Sequence, residues 1–418
     1  MEKVIIQQDK KMLMVLMITI ALDFMGFLLV FPLFPDLFIA KTSVLVPVSA
    51  SLTMRYFYYA LALATWPVGC FFGTAYFGAL SDRVGRKRII LLCLALVSFS
   101  YALQAMAIHF ATLTLFFLSR ALQGFFGGNY DIVQAAVADM STPNDKARNM
   151  SLIALAASLG VVLGPLISAF TGSSHFISWF TITTPFWIAA FLAFFNLMWI
   201  GAVFKETYQA KSKEPLKLSK IFTEFLFIFT DLRVKRLATI YFLLTVGWGF
   251  YVQAIPLLLQ KLFGFGPHMI GIFFLVLGVG LFLALQYIQP WLIKQYRLKS
   301  IYIYSMYAVT LLLLLAGLLP LLDVEWVTVF FVAIFHVSAY GCLLAIISNA
   351  VTIDEQGRVM GGTGAVGSLA FALNAFLIAY LSALNVVLPV IIASFMYLLS
   401  GIILSRTAST HNLQRYSN

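Results

Sequence analysis

Charged side chains make up only 10% of this 418-residue chain, and Asp23, Arg120 and Asp131 lie within long, mostly apolar stretches. Asp23 lies in LDFMGFLLVFPLFP, followed by Gly26, Pro32 and Pro35, while Arg120 and Asp131 lie in SRALQGFFGGNYDIVQ. An ionisable group inside a bilayer is costly unless it meets a partner or faces water, so such groups mark function by default. Their chemistry is that of protons and charge. A carboxyl can take up and release a proton, whereas the guanidinium of Arg120 stays charged and can stabilise a carboxylate or an anionic ligand. Two readings of Asp23 stand: a coupling group for protons or substrate, or a packing group satisfied by a backbone or hydroxyl partner. On one continuous helix, at about 100° per residue, Arg120, Gln123, Gly127, Asp131 and Gln134 share a face roughly 60–80° wide. Such a polar stripe suits a wall that faces water or a small molecule. Arg120 then either holds a carboxylate in a static pair or loses it when the carboxyl is protonated.

A second concentration of charge, GALSDRVGRKR from Gly78 to Arg88, is wedged between long apolar stretches, and five of its eleven residues are charged. A knot of this kind fits where two membrane helices leave the bilayer on one face and turn back. Gly78, Asp82, Arg83, Gly85, Lys87 and Arg88 resemble, in type and spacing, the signature loop between helices 2 and 3 of the major facilitator superfamily of transporters. The likeness extends along the first half. Asp23 with its two prolines is similar to the first helix of tetracycline–proton antiporters and their drug–proton relatives. Arg120 to Gly124 resembles the family's Arg-x-x-Gln-Gly motif. Gly160, Gly164 and Pro165 resemble its antiporter motif, with Ser168 and Ala169 where a Gly pair is usual. Small residues four apart let helices approach closely, and Pro165 kinks its helix.

The resemblance implies an all-α membrane protein with the major facilitator fold: twelve transmembrane helices in two six-helix bundles, working by alternating access around a central cavity. It implies secondary transport, with proton-coupled export of a small amphipathic or apolar compound as the first reading and Asp23, Asp131 and Arg120 handling the proton. Two alternatives stay open: an importer using the same proton machinery, and a receptor or scaffold that does not transport. The signature loop is expected to act as a cytoplasmic gate, Asp82 with Arg83 latching near the start of helix 11 around Gly357–Gly361. The plainer reading is a loop that only anchors topology.

The elements that must position these residues follow from composition. With 62% hydrophobic residues and a mean hydropathy of +0.96, most of the chain needs lipid as its solvent. Apolar stretches long enough to cross a hydrocarbon core of roughly 30 Å recur about twelve times. Six precede a polar stretch, Lys205–Arg236, and six follow it, which divides the chain into residues 1–204, a linker of 205–236 and residues 237–418. Within the linker, Leu218–Asp231 is apolar but short, and is read as an interfacial helix. The halves look like degenerate repeats, LSDRVGRKRI aligning with LIKQYRLKSI, as expected of secondary transporters with a binding site between halves near the midplane. The net charge of +11 is topological. Among the Lys and Arg residues, only Lys41, Arg55, Lys261 and Arg120 fall elsewhere than on one side of the membrane. That bias puts both termini in the cytoplasm, in a bacterial inner membrane. Membrane lipid, protons and a small molecule are the expected partners; nucleic acid is not, and the protein is expected to be a monomer with its first helix retained.

The second half offers no carboxylate well inside a span: Asp323 and Glu325 are assigned to an outside loop, Asp354 and Glu355 to a helix end. Gln253, Gln286, His336 and Asn374, with Gln123 of the first half, are therefore the candidate cavity residues. Proton coupling falls to the first half and substrate selection largely to the second. His336 is mid-span, and a packing imidazole is as good a reading. Cys70, Cys93 and Cys342 all lie in apolar spans and suggest neither disulfides nor a metal site. Gly362-Thr-Gly364-Ala-Val-Gly367 matches a dinucleotide-binding pattern but follows no strand. No cofactor and no metal are expected, nor a nucleophile–base constellation that would make the chain an enzyme.

Overall fold

The computed structural model describes residues 10–142, 145–174, 176–207, 229–231 and 233–407. The interfacial helix expected over Leu218–Asp231 falls almost wholly outside them. The described residues are mostly helical, because backbone polar groups in lipid must be satisfied within the helix itself. In chain order these are α1 (Lys10–Leu28), α2 (Leu52–Val84), α3 (Arg86–His109), α4 (Leu113–Phe126), α5 (Asn129–Met140), α6 (Lys146–Thr171) and α7 (Thr184–Val203). They continue as α8 (Lys235–Phe263), α9 (Pro267–Leu283), α10 (Gln289–Gln295), α11 (Leu298–Leu318), α12 (Leu322–Asn349), α13 (Ile353–Leu384) and α14 (Leu388–Ser405). Eleven spans among the described residues are long and apolar enough to cross a membrane, α9 and α10 forming one of them. The 14 residues of α4 and the 12 of α5 supply a further, interrupted crossing, rising about 39 Å together. The chain is an all-α integral membrane protein.

Packing divides the chain into two compact units: residues 1–217 with 265–275, and residues 218–264 with 276–418. In the first, α1 packs on α6 and α7, α2 on α4, and α3 on α4 and α7. Its core joins Met12, Leu16 and Ile20 of α1 to Ile90 and Cys93 of α3 and Ile132 and Val133 of α5. In the second, α11 packs on α12 and α14, and α8 on α13 and α14. Large apolar side chains such as Phe191 and Phe195 on α7 and Leu311 and Leu318 on α11 stay exposed, as a lipid-facing surface requires.

Three departures from the expected spans bear on function. The first helix was expected to run to Phe38 but ends at Leu28, because Pro32 cannot donate a backbone hydrogen bond. Turns follow, with Phe31 N–H on the Leu28 carbonyl at 3.2 Å, and then a π-helical turn at Pro35–Ile39. The Ser168 hydroxyl donates to the Leu29 carbonyl, so the residue standing where the family has Gly caps the end of α1. The fourth span breaks at Gly127–Gly128, which ends the continuous polar stripe expected from Arg120 to Gln134. The tenth span starts earlier than expected, so Glu325 belongs to the first turns of α12 and not to a loop.

Close backbone contact explains the break. A Cβ on Gly73 would lie 1.8 Å from the Phe125 carbonyl oxygen, one on Gly124 2.3 Å from the Trp66 carbonyl oxygen, and one on Gly128 2.8 Å from Thr74 Cα. Two glycine pairs four residues apart, on α2 and across the end of α4, thus bring these backbones together.

Candidate functional site

The first unit gathers its polar residues around Asp23. α6 presses on α1 on both sides of it: a Cβ on Gly160 would sit 2.2 Å from the Ala21 carbonyl oxygen, and one on Gly164 2.3 Å from that of Met25. The break at Gly127–Gly128 restarts the helix so that Asn129 and Asp131 fall in the first turn of α5, where the backbone dipole favours a carboxylate. Asn129 is set against the Asp23 carboxyl. Even so, Asp23 Oδ2 and both amide atoms of Asn129 are buried without a hydrogen-bond partner. At least one oxygen of Asp23 is thus left without the backbone or hydroxyl partner that the plainer reading supposes.

From α3 and α4 a second polar group reaches the same region. Gln123 Oε1 accepts from Arg120 Nη1 at 2.7 Å and from Gln104 Nε2 at 3.1 Å, and Tyr101 lies near the Gln123 side chain. The Tyr101 hydroxyl fills the notch at Gly26, where a Cβ would lie only 1.6 Å away. Arg120 is 2% exposed, its Cζ lies 5.5 Å from the centre of the Phe34 ring, and its Nε has no partner. Among the described residues no carboxylate lies within ion-pair distance of Arg120. The static Arg–Asp pair is not formed. Cys70 on α2 is within electrostatic range of Asp23, Arg120 and Asp131 together, so the three expected residues share one neighbourhood without pairing.

The α2–α3 turn is organised by Arg86 and Glu206, neither of them among the expected gate residues. Arg86 Nη1 pairs with Asp82 at 2.6 Å and donates to the Ser81 hydroxyl at 2.5 Å, and its Nε reaches Asp139 at 3.4 Å. Within this unit Arg86, rather than Arg83, is the ion-pair partner of Asp82. Arg83 Nε is buried and unbonded. Gly85 takes φ 103°, and a Cβ there would lie 2.4 Å from a Glu206 carboxylate oxygen. Glu206 accepts from the backbone N–H groups of Arg86 at 2.9 Å and Lys87 at 3.0 Å, capping α3 from far along the chain. Lys87 Nζ donates to the Gly201 carbonyl at 2.9 Å, and nothing crowds Gly78.

In the second unit, three of the four expected cavity residues anchor α8. Asn374 Nδ2 donates to the Val246 carbonyl at 2.9 Å, and Gln253 Nε2 to that of Phe371 at 3.2 Å. Asn374 also fills the space beside Gly249. His336 stacks on Trp248, ring centres 3.9 Å apart, and its Nδ1 shares a hydrogen bond with the Tyr397 hydroxyl at 2.9 Å. Gln286 is apart from this group, in the π-helical turn Ala284–Ile288. Glu325, completely buried with both carboxylate oxygens unbonded, overturns the expectation that this half has no carboxylate inside a span.

Several of these residues carried little signal in the sequence. Tyr101, Gln104 and Asn129 are uncharged, so only packing reveals them. Glu206 stands in a charged linker, where a carboxylate attracts no notice.

Comparison with known proteins bears on the whole chain. Residues 16–375 match the family description "Major Facilitator Superfamily". The tetracycline resistance protein, class C, of Escherichia coli is 26% identical over 365 residues, 85% of this chain and 86% of that protein. Major facilitator superfamily domain-containing protein 10 of Bos taurus is 37% identical over 138 residues, a match spanning only 28% of that protein. Among solved structures, a D-xylose–proton symporter aligns with a TM-score of 0.80 at 14% identity, covering 95% of this chain and 97% of that one. The human organic anion transporter MFSD10 (TETRAN) aligns at 0.71 and 22%, covering 94% and 99%. The fold is common to these solved structures, and the residues of the family match take in most of α1, all of α2 to α12 and the α2–α3 turn. The chain belongs to the major facilitator superfamily: it is a membrane transporter of small molecules, not an enzyme.

Proposed function

We propose that this transporter is a proton-coupled exporter of a small amphipathic or apolar compound, with Asp23 as the group that takes up and releases the proton. The observation that carries the reading is the state of Asp23: a carboxyl in a membrane helix with Oδ2 buried and unbonded. A carboxyl in that position is far easier to keep neutral than charged, so a change of protonation changes what it can tolerate around it. Asp131 and Arg120 share its neighbourhood and sense that change. Similarity to a tetracycline resistance protein over most of both chains supports export. Gln123, Gln253, Gln286, His336 and Asn374 line the substrate path, and Gly160, Gly164 and Pro165 pack α6. Gly78, Asp82, Arg83, Gly85, Lys87 and Arg88 act as a cytoplasmic gate, in a chain organised as residues 1–204, a 205–236 linker and residues 237–418. The protein works as a monomer in a bacterial inner membrane with both termini in the cytoplasm.

A second reading of the substrate is favoured by Arg120. Its permanent charge is buried without a carboxylate, so a compound bearing an anionic group would supply the missing partner. Purified protein in liposomes with an internal pH dye tests both readings against a panel of tetracyclines, apolar drugs and organic anions. The expected result is proton flux with at least one compound, opposite in direction to it and abolished by Asp23→Asn. Flux in the same direction as the compound makes the protein an importer; transport unaffected by Asp23→Asn removes Asp23 as the coupling group.

A further inference from the structure

Glu325 is the one completely buried carboxylate-bearing residue among the described residues, and nothing in the first-unit site uses it. Both its oxygens lack hydrogen-bond partners, and so does the buried hydroxyl of Tyr251 on α8, which lies within electrostatic range of it. α12 packs against α8, α11, α13 and the π-helical turn at Ala284–Ile288. Among the described residues none of these elements brings a Lys, Arg or His charge to Glu325; Tyr251 is the titratable group in electrostatic range of it. An unpaired, fully desolvated carboxylate is not sustainable as a charge. Glu325 is nevertheless close to water: it lies in the first turns of α12, two residues beyond the exposed Asp323. It can therefore hold a proton and exchange it over a distance of about one helical turn.

We infer that Glu325, with the Tyr251 hydroxyl, forms a second proton-binding site, in the unit built on α8 and α12 and separate from Asp23. In the protonated state Glu325 needs no counter-charge, and a side-chain rotation would bring its O–H to the Tyr251 oxygen, satisfying two atoms that are unbonded in the structure. On release the proton passes from the carboxyl to water at the exposed start of α12, and the helix N-terminal dipole favours the carboxylate left behind. Proton binding here does not depend on the proton-coupled export reading; only its use in a transport cycle rests on that reading. The site would give the second unit a proton step of its own.

Infrared difference spectroscopy on the full-length protein in liposomes, titrated between about pH 5 and 9, tests this directly. The expected spectrum contains a carboxylic acid C=O band that titrates, is lost in Glu325→Gln, persists in Asp23→Asn, and shifts its midpoint in Tyr251→Phe. Glu325→Asp keeps a carboxyl and should retain the band with a shifted midpoint, which serves if the Gln variant does not fold. The inference fails if Glu325→Gln or Glu325→Asp leaves every titrating band unchanged. It also fails if the band assigned to Glu325 is constant across the range, as for a permanently protonated packing acid. Since no substrate is needed, a titrating band with no proton flux in the dye assay would sink the proton-coupled reading and leave this site standing.

Discussion

At the scale of single residues, the buried polar groups are only partly satisfied. Gln104, Gln123 and Arg120 satisfy one another in part, while Asp23, Asn129 and Glu325 each leave buried atoms unbonded. Arg120→Lys keeps the charge but removes the planar fork that reaches Gln123 Oε1, and should lower transport on the order of tenfold in the dye assay. Gly26→Ala tests how tightly the cluster is built. Its new methyl would collide with the Tyr101 hydroxyl, at an expected cost of about 1–3 kcal/mol for overpacking. Thermal unfolding in detergent should show a lowered midpoint, with partial recovery in Gly26→Ala/Tyr101→Phe. An unchanged midpoint in Gly26→Ala would mean that Tyr101 does not occupy the notch.

At the scale of elements, glycines and one distant carboxylate decide how helices meet. The α2–α4 contact offers no soft side chain to yield, because the atom facing Gly73 is the Phe125 carbonyl oxygen. Gly73→Leu should therefore abolish recovery of folded protein in membranes, whereas the same change at the uncrowded Gly78 should be tolerated for folding. The α3 N-terminus depends on Glu206 accepting two backbone N–H groups. Glu206→Ala should cost about 1 kcal/mol, as for loss of a helix cap, and should loosen the turn that holds Asp82, Arg86 and Lys87. Hydrogen exchange confined to the first turn of α3 would read that loosening, and exchange at the wild-type rate would refute it.

At the scale of the whole molecule, charge outside the spanning segments sets how the protein responds to acid. Arg233 bonds Glu355 through Nη1 and Nη2 at 3.0 and 2.8 Å and Asp231 through Nη2 at 2.7 Å. Arg233 first, and Thr352 next, hold the Glu355 carboxyl down at about 2, against its ordinary 4.5. A depressed carboxyl contributes stability that is complete above about pH 4.5 and lost as pH falls toward about 2. Glu355 is solvent-exposed in part, so the effect is small and weakened by salt. The wild-type unfolding midpoint should fall more than that of Glu355→Gln as pH drops from about 5 to 3. Parallel curves would mean that the pair contributes nothing to stability.

The sequence by itself determined the solvent, the number of crossings, the family and the place of Asp23, Arg120 and the charged turn. Hydropathy and scarce charges are one-dimensional properties: a bilayer selects for them residue by residue, so they survive as patterns along the chain. Tertiary structure decided what those residues touch. Whether Arg120 meets Asp131 depended on a helix break beside α2, where Gly73 meets the Phe125 carbonyl. Whether Glu325 was loop or core depended on which face of α12 turned inward, a choice made by neighbouring helices. Gly85 was visible as a motif residue, but its reason, a left-handed backbone and room for Glu206, required the chain to return more than a hundred residues later. Contacts of that kind are set by packing between elements, and no local pattern encodes them.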